Sequence, residues 1–149
     1  MEKEDLSGKI CEYLTPASQL ADIEGAQGTA RLLASMQRLI RYAALRSGWV
    51  PLTDEWAALK DLIEIRKGRF GNRIHLGTMP QAALFVPRMA LVNAAEEACA
   101  PDEMLRDPAR EFEIEAQVHQ DMALGYQLRL TVHRAGTRGD ADFMRQWTL

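Results

Sequence analysis

Several things are scarce in these 149 residues, and each scarcity excludes something. Cysteine occurs twice, at Cys11 and Cys99, which is too few for a disulfide framework and matches no CxxC pair or zinc-spaced Cys/His cluster. Two reduced, partly buried thiols in a cytosolic protein are expected. Histidine occurs three times, and none lies among residues 1 to 74. Basic charge is not in excess: Lys+Arg 18 stand against Asp+Glu 21, a net charge of -3 with a pI near 5.6. The electrostatic term that drives binding to a phosphate backbone is therefore missing, and no nucleic-acid partner is expected. No uncharged run approaches the roughly 20 residues that cross a bilayer, and the start, MEKEDLSGK, carries no apolar signal region. A soluble, cytoplasmic chain with no membrane contact is the expectation. GxSxG, HExxH, Walker-type and GxGxxG motifs are absent, as are internal repeats and low-complexity tracts.

What is present is ordinary globular material, 47% hydrophobic and 26% charged. A chain of this length buries roughly 68 to 70% of the surface its unfolded form exposes. Residues 6 to 24 read as a helix that Pro16 interrupts, and Gly25 and Gly28 break it. Leu32, Leu33, Met36, Leu39, Ile40 and Ala43 then recur at helical spacing and predict an amphipathic helix over 29 to 46. Together the two form a helical hairpin, which must pack on a partner chain or on the domain that follows. After Gly48 and Pro51, the run Thr53, Asp54, Glu55 starts a third helix, 53 to 67, with Arg66 and Lys67 at its end.

A short strand over 73 to 78 follows, then a loop from Pro80. A helix marked by Met89, Val92 and Ala95 is ended by Pro101, and a polar loop spans 101 to 110. Phe112, Ile114, Ala116 and Val118 alternate, as do Leu128, Leu130 and Val132, which predicts a hairpin whose loop holds Gly125. Phe143, Met144 and Trp147 read as a last helical turn or two. The order is α+β, without the strict alternation of a doubly wound sheet.

His75, His119 and His133 all fall on the polar phase of a strand pattern, so ordinary solvent-facing strand residues are expected. Glu96 and Glu97 are adjacent on a helix, diverge by about a quarter turn, and so cannot aim at one point as a catalytic dyad would. Their plain reading is a solvated helix face.

A resemblance runs through the middle of the chain. Leu39-Ile40-Arg41-Tyr42, then Val50-Pro51-Leu52-Thr53-Asp54-Glu55, then Ile63-Glu64-Ile65-Arg66-Lys67-Gly68-Arg69-Phe70-Gly71-Asn72-Arg73-Ile74 occur in the order L-L-R-Y, v-x-L-x-x-E and L-x-I-x-x-x-R-F-G-D-R-L. Val86-Pro87-Arg88-Met89-Ala90-Leu91 with Ala95-Glu96-Glu97-Ala98 is similar to the N-box I-P-P-M-x-L-Q-P-L-V-E-N-A, and the strand ending His133-Arg134-Ala135-Gly136 is similar to the one leading into D-N-G. Over residues 30 to 136 the chain thus resembles the LytS/YehU class of sensor histidine kinases, members of the GHKL ATPase superfamily. The resemblance implies a dimerisation and phosphoacceptor-like hairpin over 1–48. It also implies a truncated GHKL-type two-layer α/β sandwich, an ATPase-like domain, over 49–149. Expected partners are a second copy through the hairpin and a response-regulator receiver domain.

The departures bear on activity. The hairpin lacks the phosphoacceptor histidine, and Tyr13, in the right neighbourhood, does not substitute for a phosphohistidine, which argues against a phosphotransfer protein. Glu96 matches the family's acidic residue, but Glu97 replaces the magnesium-binding Asn, a change a carboxylate can tolerate. Arg134 stands where an Asp accepts the adenine amino group, and arginine has no acceptor. Ala135 replaces the following Asn, Gly136 remains, and the chain reaches Leu149 without the glycine-rich G-x-G-L-x-N segment that cradles phosphates. Binding of ATP and magnesium is expected to be lost. A degenerate, non-catalytic sensor-kinase module, a pseudokinase of two-component signalling, is the first expectation. A domain that still binds a nucleotide or phospholigand through Glu96, Glu97, Arg134 and Gly136 is the alternative.

Overall fold

The computed structural model describes residues 3–123, 125–136 and 141–149. Two antiparallel helices come first, α1 (Lys3–Ile23) and α2 (Gln27–Ala43). Pro16 does not interrupt α1, and one carbonyl near the ring is held from the side: Cys11 O accepts from Thr15 Oγ1 at 3.0 Å and from Gln37 Nε2 at 3.3 Å. Gly25, at φ +75, ends α1 in a Schellman turn, with Gly25 N–H on Asp22 O at 3.1 Å and Ala26 N–H on Ala21 O at 2.8 Å. The helix expected from residue 29 begins at Gln27 and stops at Ala43.

Strand β1 (Trp49–Pro51) runs directly into α3 (Leu52–Phe70). Then come β2 (Ile74–Leu76), β3 (Phe85–Pro87), α4 (Ala90–Ala98) and α5 (Pro101–Arg106), followed by β4 (Glu111–Asp121), β5 (Gly125–Ala135) and β6 (Ala141–Thr148). β1 and β3 pair antiparallel as a small sheet, while a larger sheet has the order β2-β4-β5-β6, parallel only between β2 and β4.

The α+β class and the plan of a hairpin followed by a two-layer sandwich are those expected, and two further local readings are corrected. The loop assigned to 101–110 contains α5; Pro101 sits at its first turn with Asp102 and Glu103, where a missing N–H costs nothing and acids suit the helix dipole. The last segment is strand β6, because Phe143 and Trp147 alternate at period two opposite Val132 and Leu128. β1 and β3, each three residues long, are too short to show alternation in sequence.

One face of the large sheet makes the core. Phe112, Ile114, Leu128, Leu130 and Val132 are each at most 1% exposed and pack under α3 and α4 with Leu59, Leu91 and Val92. The hairpin joins this body through α2 on α3. Arg38 forks onto Asp61, with Nη2 to Oδ1 at 2.9 Å and Nε to Oδ1 and Oδ2 at 3.1 and 3.2 Å. The opposite face of the sheet is polar and carries all three histidines, as expected. His75 pairs with Glu111, His133 with Asp142, and His119 is exposed.

Candidate functional site

Glu55, the fourth residue of α3, is fully buried. Its Oε1 accepts the Met89 N–H at 2.8 Å, and its Oε2 accepts the N–H groups of Leu91 at 2.8 Å and Val92 at 3.1 Å. The Tyr42 hydroxyl donates to the same carboxylate. Met89 has no side-chain cap of its own and sits left-handed at φ 70, a conformation rare for a bulky residue. That turn aims the first amides of α4 at one carboxylate, which satisfies helix-start donors as an N-cap would and meets the positive end of the helix dipole. Burial, followed by the hydrogen bond to Glu55, pushes the Tyr42 hydroxyl well above its ordinary value, so it stays a donor. Beside it, Arg88 donates to Ser47 O at 2.8 Å and Ala43 O at 2.7 Å, closing the end of α2 onto the start of β1.

A second junction lies at the far end of the sandwich. Arg73 donates to Arg110 O at 2.9 Å, Met104 O at 3.0 Å and Asp107 O at 2.7 Å, with its guanidinium 5.8 Å from the Phe112 ring centroid. It ties α5 and the following turn to the edge of the sheet. Glu103 of α5 meets Arg110 at 3.1 Å and Arg106 and Arg134 at 3.6 Å each. Beneath, the buried Cys99 thiol is pushed up to about 12 by burial, against the opposing pull of Arg66 and Arg134. The side-chain Nε atoms of Arg66 and Arg110 are buried with no hydrogen-bond partner among the described residues.

The four positions singled out from the sequence divide between these surroundings. Glu96 and Glu97 are exposed and held by different cations, Glu96 by Arg66 at 3.8 Å and Glu97 by Arg145 of β6 at 2.8 Å. Arg134, the penultimate residue of β5, stands on its core-facing side opposite Phe112, 17% exposed at the side chain. Gly136 lies against the turn after α5: a Cβ there would stand 2.4 Å from Asp107 Oδ2 and 3.2 Å from Arg110 Cβ. Arg134 and Gly136 therefore share the α5 junction.

Glu55, Arg73 and Glu103 are the residues that sequence reading did not single out. For Glu55 the signal was its place in v-x-L-x-x-E; for Glu103 it was the Pro-Asp-Glu start of α5. A separate groove of about 670 Å³ lies between α3 and β2, lined by Arg38, Lys60, Asp61, Lys67 and His75, and contains none of the four expected positions. Among the described residues there is no cluster of His, Cys, Asp and Glu that could hold a metal ion, and no helix long and apolar enough to cross a membrane.

No family model matches the chain, and no curated protein matches it. Among solved structures it is similar to the histidine kinase domain of a blue-light activated histidine kinase from Erythrobacter litoralis EL346. The match has a TM-score of 0.41 and 13% identity, over 89% of this chain and 72% of that one.

Proposed function

We propose that the chain is a non-catalytic, histidine-kinase-like signalling module of the LytS/YehU type. In this reading its hairpin, 1–48, and its sandwich, 49–149, serve association and docking, not phosphoryl transfer. One observation carries it. The motif residues that persist, Tyr42, Glu55, Arg73 and the turn at Met89, are spent on holding elements together, whereas two of the positions that would do chemistry, Glu97 and Arg134, are altered and engaged elsewhere.

Two features support the loss of ATP and magnesium binding. Arg134 offers no acceptor to an adenine amino group and is paired to Glu103. Glu97 replaces an asparagine and is held by Arg145. A hairpin without histidine offers no phosphoacceptor. It does carry exposed apolar side chains on α1, Tyr13 at 74% and Ile23 at 82%, suited to a second copy or a receiver domain.

Isothermal titration with Mg-ATP tests this reading, with no heat of binding expected at millimolar nucleotide; micromolar binding overturns it. The alternative, a site for a nucleotide or phospholigand with altered chemistry, draws support from the unpartnered Nε atoms of Arg66 and Arg110 near Arg134. Titration with inorganic pyrophosphate in place of Mg-ATP decides it, binding lost in Arg110→Gln being the positive result.

A further inference from the structure

The two edges of the large sheet are unlike. β2 offers three residues beside α3, a short edge of the kind that resists pairing. β6 offers eight residues without proline, and among the described residues no strand lies beyond it. The Leu149 N–H bonds Tyr126 O at 2.8 Å, which fixes the phase of the β5–β6 ladder. Residues 143, 145 and 147 turn their backbone groups toward β5, so 142, 144, 146 and 148 turn theirs outward.

The polar side chains of β6 are drawn back toward their own subunit. Asp142 bonds His133 at 3.1 Å. Gln146 bonds Arg129 at 3.1 Å and Gln127 at 2.7 Å. Arg145 bonds Glu97 at 2.8 Å and lies 4.4 Å from the Phe143 centroid. The charges that ordinarily blunt an edge are therefore occupied, and Met144 is 53% exposed in the middle of the outward backbone row; its carbonyl accepts from Arg145 Nη1 at 3.1 Å, a bond to the side chain of the next residue that a pairing strand would replace.

We propose that this edge pairs with the same edge of a second copy, antiparallel about a two-fold axis at Met144, so that two four-stranded sheets become one. Only registers that place outward-facing residues opposite one another match donors to acceptors. An axis at Arg145 would oppose two arginines, which is destabilising. The axis at Met144 sets Met144 against Met144, Asp142 against Gln146 and Phe143 against Arg145, so every opposed pair is complementary. This surface is distinct from the hairpin and does not depend on the functional reading above.

Sedimentation of the full chain tests it. Met144→Pro removes an N–H that β5 does not use, so the fold should hold by far-ultraviolet circular dichroism while the assembly mass halves. The halving should occur both in the otherwise unchanged chain and in an Ile23→Lys background that removes association through the hairpin. Met144→Lys, which opposes two ammonium groups across the axis, should do the same, and Met144→Cys should give a disulfide-linked dimer under mild oxidation. A mass left unchanged by both Met144→Pro and Met144→Lys overturns the proposal, as does a monomeric unaltered chain at concentrations near 100 times those of ordinary micromolar assays, about 100 μM.

Discussion

Two carboxylates organise the two ends of the sandwich, and they do so with different materials. Glu55 is fully buried and gathers backbone amides from residues 89, 91 and 92 and the Tyr42 hydroxyl. Glu103, 23% exposed at the side chain, gathers guanidinium groups from Arg106, Arg110 and Arg134. Backbone donors stay whatever side chains the turn carries, so the Glu55 junction resists change as long as α4 starts there. The Glu103 junction is made of side chains alone, and one substitution can rewire it. Arg134 and Ala135, where the sequence differs from the motif it resembles, lie at that second, rewritable end.

The comparison breaks most visibly at Glu55. Glu55→Ala leaves three amides and a hydroxyl without their acceptor, and a loss of about 3–5 kcal/mol is expected from chemical denaturation. Tyr42→Phe, which removes one donor and leaves the amides satisfied, should cost only about 1–2 kcal/mol. A loss from Glu55→Ala no larger than that from Tyr42→Phe would mean that the buried carboxylate is not what anchors α4.

At the other end, Glu103→Ala takes from Arg110 and Arg134 the carboxylate oxygen they share. Partial exposure moderates the effect, and about 1–2 kcal/mol of destabilisation is expected. Added salt screens like charges, so raising sodium chloride from 0.05 to 0.5 M should recover much of the loss in Glu103→Ala and none of it in Glu55→Ala. Equal salt response in the two variants would remove the distinction between a backbone junction and an ionic one.

Period-two alternation placed β4 and β5, and helical spacing placed α2, because each runs long enough for its pattern to repeat. β6 was read as helix because Phe143, Met144 and Trp147 fit both periods in a short segment; only the register against Val132 and Leu128 decides between them. The polar character of 101–110 hid α5, whose sole buried residue is Met104. Of the site, the differences of Glu97, Arg134 and Ala135 from the motif that the sequence resembles are visible in the string itself. The partners are not, since Glu103 with Arg134 and Glu97 with Arg145 are joined only by folding. Glu55 was visible as an acid in the first turn of α3, but nothing in the string tells that it turns inward to α4.

The smallest expected effect lies on the polar face of the sheet, where no buried group is at stake. His133 of β5 is held above its ordinary value, first by its hydrogen bond to Asp142 of β6 and further by the charges of Asp142 and Glu115, with Glu113 directly opposite on β4. A raised value in the folded chain means that the stabilisation is fully present below about 6.5, the unfolded value, and is lost as pH rises through the folded one. The strand it tethers is β6, so raising the pH from 5.5 to 8 should lower the protection factors of the β6 amides, taken relative to the base-catalysed intrinsic rate at each pH, while leaving those of Leu91 and Val92, bonded to Glu55, unchanged. Asp142→Asn should bring the His133 ring back toward its ordinary titration, followed by proton NMR, and flatten the pH response of β6. A His133 titration that ignores Asp142→Asn would show that the neighbouring carboxylates of β4 hold the ring, leaving β6 tied to β5 by its backbone ladder alone.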